Sequence, residues 1–453
     1  MRWMFPCERI PMDNHADAPL ISSTMIHQPI FSFRGLMLTG AVLFGSLTIS
    51  PALEPRTWIS LDGRTLDAEL IKTEGEIVEL KDKEGRILKI PKLSLSFGDL
   101  DYIAEYAPQQ KSGALGAKPP SNVRIPNPAK EMKFSNKTVK KEAGKLKLGG
   151  LTLGYCETPH FNVLYSKGID PMDTAEQAER FWHDTAFFHG SFAGKFKDRR
   201  MALVLAEGVE DYKTITEWYG EILNGAGQTA AAKQILADMD KTGALGLNLP
   251  AEYAADNGLL TDATMIRIKM RGQTHGTEAK GVWDSFRCHI LAQSMLGFQA
   301  GGQSSFAREG QFAIFTGYCY QKEIDLSGAS VTVLIQKDTG KSSSTSASYD
   351  TGRNWAAELK RRLRKGDVKL NLTVLWGSSA NDAKPDDFAL AYSFSRFLQS
   401  TPARLTAYGK LMERVSTAKQ VPDPDGVAKI YGLNDAPALE KEWRAYVDSG
   451  DFR

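Results

Sequence analysis

The sequence predicts a multidomain protein: a small all-β module, then a basic tether, then an α+β domain whose second half is largely helical. Three observations carry this. Short apolar runs between 54 and 106 alternate with period two and are punctuated by Asp62-Gly63 and Glu84-Gly85, dipeptides suited to tight antiparallel turns. Composition then shifts: residues 109–150 hold nine Lys and one Arg against two acidic residues, with Pro119, Pro120, Pro126 and Pro128. Beyond 157, β-like runs come first and helical periodicity follows, the gross order of an α+β domain. At 453 residues and 42% hydrophobic content, the chain has room for two or three domains and a sizeable core. A net charge of +2 gives no electrostatic case for a nucleic-acid partner.

Residues 1–52 read as a signal peptide or an N-terminal anchor. The uncharged run Gly35–Ile49 follows Arg34 and precedes Ser50-Pro51-Ala52, giving a basic flank, an apolar core and a small-residue exit. Its roughly 15 residues fall short of the about 20 that a membrane span needs. The polar, irregular residues before Met25 suit a start codon placed too early, with Met25 or Met37 as the real start. Export to the cell envelope or beyond is the resulting expectation. Cys7, Cys156, Cys288 and Cys319 show no C-x-x-C spacing, which excludes a cysteine-built zinc knuckle and supplies no disulfide framework.

In the module at 53–106, Ile77–Leu80 and Ile87–Ile90 alternate as strands, and Leu93–Ile103 reads as a helical turn capping a small β-barrel. Arg56-x-Trp58, Gly63, Gly85, Pro91, Leu93-Ser94, Asp99 and Tyr102 together resemble the Sla1 homology domain 1 (SHD1), although two extra residues separate Leu-Ser from the Asp. The resemblance implies an SH3-like barrel that binds a protein or peptide, with Arg56, Trp58, Gly63, Asp99 and Tyr102 as its marker residues. The plainer reading of Trp58 is a core aromatic of the barrel. The segment 107–150 is expected to be a solvated linker whose positive charge can touch an anionic envelope surface.

The remaining domain, 151–453, opens with strands at 160–166 and 200–206 around a helix at 174–189 carrying Phe181, Trp182, Phe187 and Phe188. A strand at 263–270 precedes the helix that bears His289. Helices are expected at 307–321, 354–365, 385–399, 402–416 and 436–448, with a strand at 368–375.

The chemistry-bearing pattern is Arg287-Cys-His-Ile-Leu-Ala-Gln293, followed by Phe306-Ala-Arg-Glu-Gly310. Residues i and i+4 share a helix face, so His289 and Gln293 occupy the positions at which an H-E-x-x-H helix presents two zinc-binding imidazoles. This layout, with the strand at 158–166, the helix at 174–189, Ala389–Leu398 and Glu440–Tyr446, resembles the peptidase MA-like (gluzincin) domains of bacterial envelope proteins. The resemblance implies a zincin-like fold, with His289 and Glu309 as vestigial metal ligands. Ile290 stands where the family has its general base, and Gln293 where it has a second histidine. An aliphatic side chain takes no proton, so no catalytic residue is assigned. His289, Gln293, Glu309 and Tyr392 are expected to frame the old cleft; packing in the core is the other reading of Tyr392, and a bond from His289 to Glu309 or Gln293 the structural reading of the set. His160, His183, His189 and His275 show no ligand spacing, and no nucleophile elbow or phosphate loop is present. The expected function is therefore an exported binding protein without a cofactor, with an SHD1-like protein-binding module and an inactive metallopeptidase-like domain whose cleft grips an extended peptide or a polymer. A zinc-dependent hydrolase with unusual ligands and an adaptor acting through the SHD1-like module are the alternatives.

Overall fold

The computed structural model describes residues 55–106, 126–239, 243–268, 277–300, 309–327, 355–379 and 383–453. The expected signal segment, His275 and Phe306–Arg308 lie outside them. Among the described residues no helix is long and apolar enough to cross a membrane.

The first sheet is a four-stranded antiparallel meander of β1 (Arg56–Ile59), β2 (Thr65–Glu74), β3 (Ile77–Asp82) and β4 (Ile87–Pro91), in that order. Gly63 and Gly85 turn the chain at φ 85° and 82°, values that a Cβ disfavours. Trp58, Leu70, Val78, Leu80, Leu95 and Ile103 form the core, the last from helix α1 (Phe97–Tyr106). The sheet does not close into the expected barrel. β1 and β4 remain its two edges, and β1 is met instead by the turn after β4, through a Ser60–Leu95 bridge and the bond from Ser96 N to the Ile59 carbonyl.

The expected linker is structured over its second half. Helix α2 (Pro128–Glu131) is capped by Asn127, and β5 (Lys140–Leu148) pairs with β6 (Leu151–Glu157) across Gly149 and Gly150, both at positive φ. The physical reason is that β5 needs no core of its own. Leu146 and Leu148 pack on apolar surface the larger sheet already owns, while the alternate lysines face water.

The second sheet runs β5-β6-β7-β8-β10-β9, with β7 (Phe161–Tyr165), β8 (Arg200–Ala206), β9 (Ala244–Asn248) and β10 (Leu259–Arg267). β7, β8 and β10 are parallel; β5, β6 and β9 run antiparallel to their neighbours. Helix α3 (Met172–Phe188) crosses from β7 to β8 on one face. α4 (Val209–Gly225) and α5 (Thr229–Asp238) cover the other, and the short α6 (Ala251–Asp256) joins β9 to β10. The helical half follows: α7 (Thr277–Gln299), a π-helical turn Phe312–Thr316, α8 (Gly317–Ser327), α9 (Trp355–Lys365), α10 (Leu372–Gly377), α11 (Pro385–Leu398), α12 (Pro402–Ala418), α13 (Pro424–Ile430) and α14 (Ala436–Asp448). The strand expected at 368–375 is not formed. Asn371 caps Val374 N at 3.0 Å, and Leu372, Leu375 and Trp376 recur at helical spacing, so burial follows the period of α10.

The small module is seated on α3. Phe97 contacts Phe187 and Phe188 at 6.2 and 5.6 Å between ring centroids, and His183 Nε2 lies 3.0 Å from the Leu61 carbonyl. Arg180 donates to the carbonyls of Ala129 and Met132 at 2.7 and 2.9 Å.

Candidate functional site

Helix α7 packs on α8, α3 and β10 and exposes a different residue to each. His289 faces α8, where its Nδ1 lies 2.9 Å from Oε2 of the fully buried Glu323 and its ring meets Tyr320 edge-on at 5.0 Å. Glu323, not Glu309 or Gln293, is thus the partner of His289.

The other expected members of the cleft lie apart. Ile290 is 2% exposed and part of the main core. Gln293 makes no bond with His289, and its buried Oε1 has no hydrogen-bond partner among the described residues. Glu309 is exposed on a turn fixed by Gly310, whose N–H donates to the Trp376 carbonyl at 2.8 Å. Tyr392 is a core residue between Trp355 and Phe452, with Arg396 above its ring, and burial pushes its phenol well above the ordinary range. Among the described residues no three His, Cys, Asp or Glu side chains converge as metal ligands. His289, Gln293 and Glu309 do not make a zinc shell: the amide is neutral and the downstream carboxylate faces solvent.

What α7 does build is a groove. Ile290, Gln293, Ser294, Gly297 and Phe298 form one wall and β9 with the middle of β10 the other, around a volume of about 200 Å³. The floor is a hydroxyl pair, Thr264 Oγ1 and Ser294 Oγ at 2.7 Å, and Ser294 also donates to the Ile290 carbonyl. Asp262 lines the groove, and burial raises its carboxyl above the usual carboxylate range despite an opposing pull from Thr261 and Lys195. Sequence reasoning missed Asp262, Gly246, Thr264, Ser294 and Glu323. The alternation Ala244-Leu-Gly-Leu-Asn248, with a glycine on the face opposite the leucines, was the available signal for the groove. Glu323, 34 residues from His289, left none.

In the small module, Arg56, Trp58, Asp99 and Tyr102 do come together, while Gly63 serves the first turn. The Arg56 guanidinium contacts Asp99 at 2.8 Å and lies 4.3 and 5.1 Å from the ring centres of Tyr102 and Trp58. Asp99 accepts from Ile59 N and Ser96 Oγ at 2.9 and 2.7 Å, tying α1 to β1, while burial raises its carboxyl. Trp58 is 1% exposed and donates to the Ala68 carbonyl, which makes it a core aromatic. A second groove, about 700 Å³, runs between β1 and β4 past Trp58, Leu88, Ile90 and Leu95.

The scattered histidines have separate duties. His160 stacks on Trp182 at 3.4 Å and contacts buried Glu179 through Nδ1 at 2.7 Å. Burial lowers the imidazole of His183, and that of His189 to about 3, with the Lys322 charge adding to the latter. Lys322 itself is buried in an ion pair with Asp184.

Comparisons of the chain with protein-family models, with curated proteins and with solved structures find no match in any of the three.

Proposed function

We propose that this is an exported peptide-binding protein whose large domain is a relative of the MA-like peptidases without their chemistry. The observation that carries the reading is the groove between α7 and β9. β9 ends the sheet, so one backbone edge has no strand partner among the described residues, and the facing helix supplies a wall of mixed polarity. An extended peptide adds to such an edge through main-chain hydrogen bonds, and the adjoining wall selects its side chains. Ile290 in the core leaves nothing at that helix position to activate water. The export half of the reading rests on the Gly35–Ile49 segment.

The test joins metal analysis of the purified full chain to peptide binding and cleavage assays. Saturable binding of extended peptides without turnover is the expected result. Stoichiometric zinc together with cleavage abolished by Glu309→Ala would overturn the reading. The adaptor alternative, with an SH3-like module as the functional end, is favoured by the larger groove between β1 and β4. Peptides selected on the full chain that lose binding on Leu88→Asp but keep it on Gly246→Val would support it.

A further inference from the structure

The α7–β9 groove is open over Gly246, where no side chain stands. Thr264 pairs with Gly246 and Asp262 with Asn248, so Gly246 and Asn248 share the face turned to α7, while Leu245 and Leu247 fill the core behind. A Cβ built at Gly246 meets nothing within 4 Å. The opening leads past Phe298 and Ile290 to the Thr264–Ser294 hydroxyl pair, between Asp262 and Gln293.

Two acceptors at this opening are open to a further donor. Gln293 Oε1 is buried without a hydrogen-bond partner among the described residues, and Asp262 is bonded by Thr261 and feels the charge of Lys195 from a distance. The Lys195 ammonium donates to the Gln299 carbonyl at 2.9 Å and makes no ion pair with Asp262 among the described residues. A desolvated carboxylate beside an orphan amide oxygen is stabilised best by a donor cation on an apolar stem.

We propose that this pocket receives a lysine or arginine side chain of an extended peptide lying along β9, with Asp262 as counter-charge and Gln293 as second acceptor. The assignment rests on the peptide-groove reading above and names its specificity. Ile290 and Phe298 flank the stem, and the absent side chain at Gly246 lets it in. A glutamate side chain is repelled by Asp262, and an aliphatic one brings no charge to Asp262 and leaves Gln293 Oε1 without a partner.

The test is a fluorescence-polarisation titration of the full chain with labelled, acetylated heptapeptides of β-branched residues, carrying lysine, arginine, norleucine or glutamate at the centre. Lysine and arginine peptides should bind about tenfold more tightly than the norleucine peptide, the scale of one charge-assisted contact. Asp262→Asn should abolish that preference and leave norleucine affinity unchanged. Gly246→Val, which adds bulk where no atom stands in the way, should bring the lysine peptide down to the norleucine level. Both variants are checked for unchanged melting. Equal affinity for lysine and norleucine peptides overturns the pocket and leaves the groove standing; failure of every peptide to bind overturns both.

Discussion

Glu323 of α8 holds Nδ1 of His289 at 2.9 Å from a position with no solvent exposure. The bond crosses between α7 and α8, which pack against each other, so the imidazole serves as a cross-brace. Glu323→Gln should therefore destabilise the fold by about 1–3 kcal/mol, because a buried charged acceptor is replaced by a weaker one. Glu309→Gln, on the exposed turn, should stay within about 0.5 kcal/mol of the parent. Urea denaturation of the two variants decides; a larger loss at Glu309 would refute this division of roles.

Acid should weaken the protein through His189. Its folded-state value is depressed to about 3 by burial and then by Lys322, against 6.5 for the free group. The unfolded chain takes up a proton below 6.5 while the native state resists until about 3, so stability is full above 6.5 and is lost progressively across that window. The contribution is on the order of 4 kcal/mol by the bottom of the window. His189→Gln should flatten the dependence of unfolding free energy on pH between those limits; an unchanged slope would contradict the assignment.

Gly310 has a positive φ of 75°, and a Cβ there would come within 2.7 Å of the Trp376 ring. Gly75 also has a positive φ, 57°, but faces open space. Gly75→Ala should cost about 1 kcal/mol for backbone strain alone, and Gly310→Ala at least about 2 kcal/mol because the indole must move as well. Thermal melts of both variants test the difference, and equal losses would show that Trp376 yields freely.

Lys145 and Lys147 stand exposed on β5, the outer strand of the larger sheet. Charge on an edge strand discourages pairing with another chain. The double substitution Lys145→Val and Lys147→Val should raise self-association in sedimentation velocity with little change in melting temperature. A strictly unchanged sedimentation profile up to high concentration would dispose of this role.

Legibility in the sequence followed the strength of local signals. Gly63 and Gly85 were readable because a tight turn with positive φ calls for glycine, and α3 because its paired aromatics have no place but a core. The strand β5 was hidden by its lysines: only Leu146 and Leu148 mark its inner face, too few to distinguish a borrowed strand from a tether. Residues 368–375 misled in the opposite sense, since Val368, Leu370 and Leu372 alternate like a strand until Asn371 starts a helix. At the candidate site, the helix face bearing His289 and Gln293 was legible from spacing. What each residue meets was not, because Glu323 and Asp262 reach α7 only through packing of elements distant in the chain.

Because β5 belongs to the larger sheet, the boundary suggested by composition is the wrong place to cut. A truncation beginning at residue 151 would strip off the outermost ribbon, bare the backbone of β6 and uncover the apolar patch under Leu146 and Leu148. Such a fragment invites clumping for reasons unrelated to its chemistry, whereas one beginning before Asn127 keeps the ribbon and the short helix that Arg180 fastens.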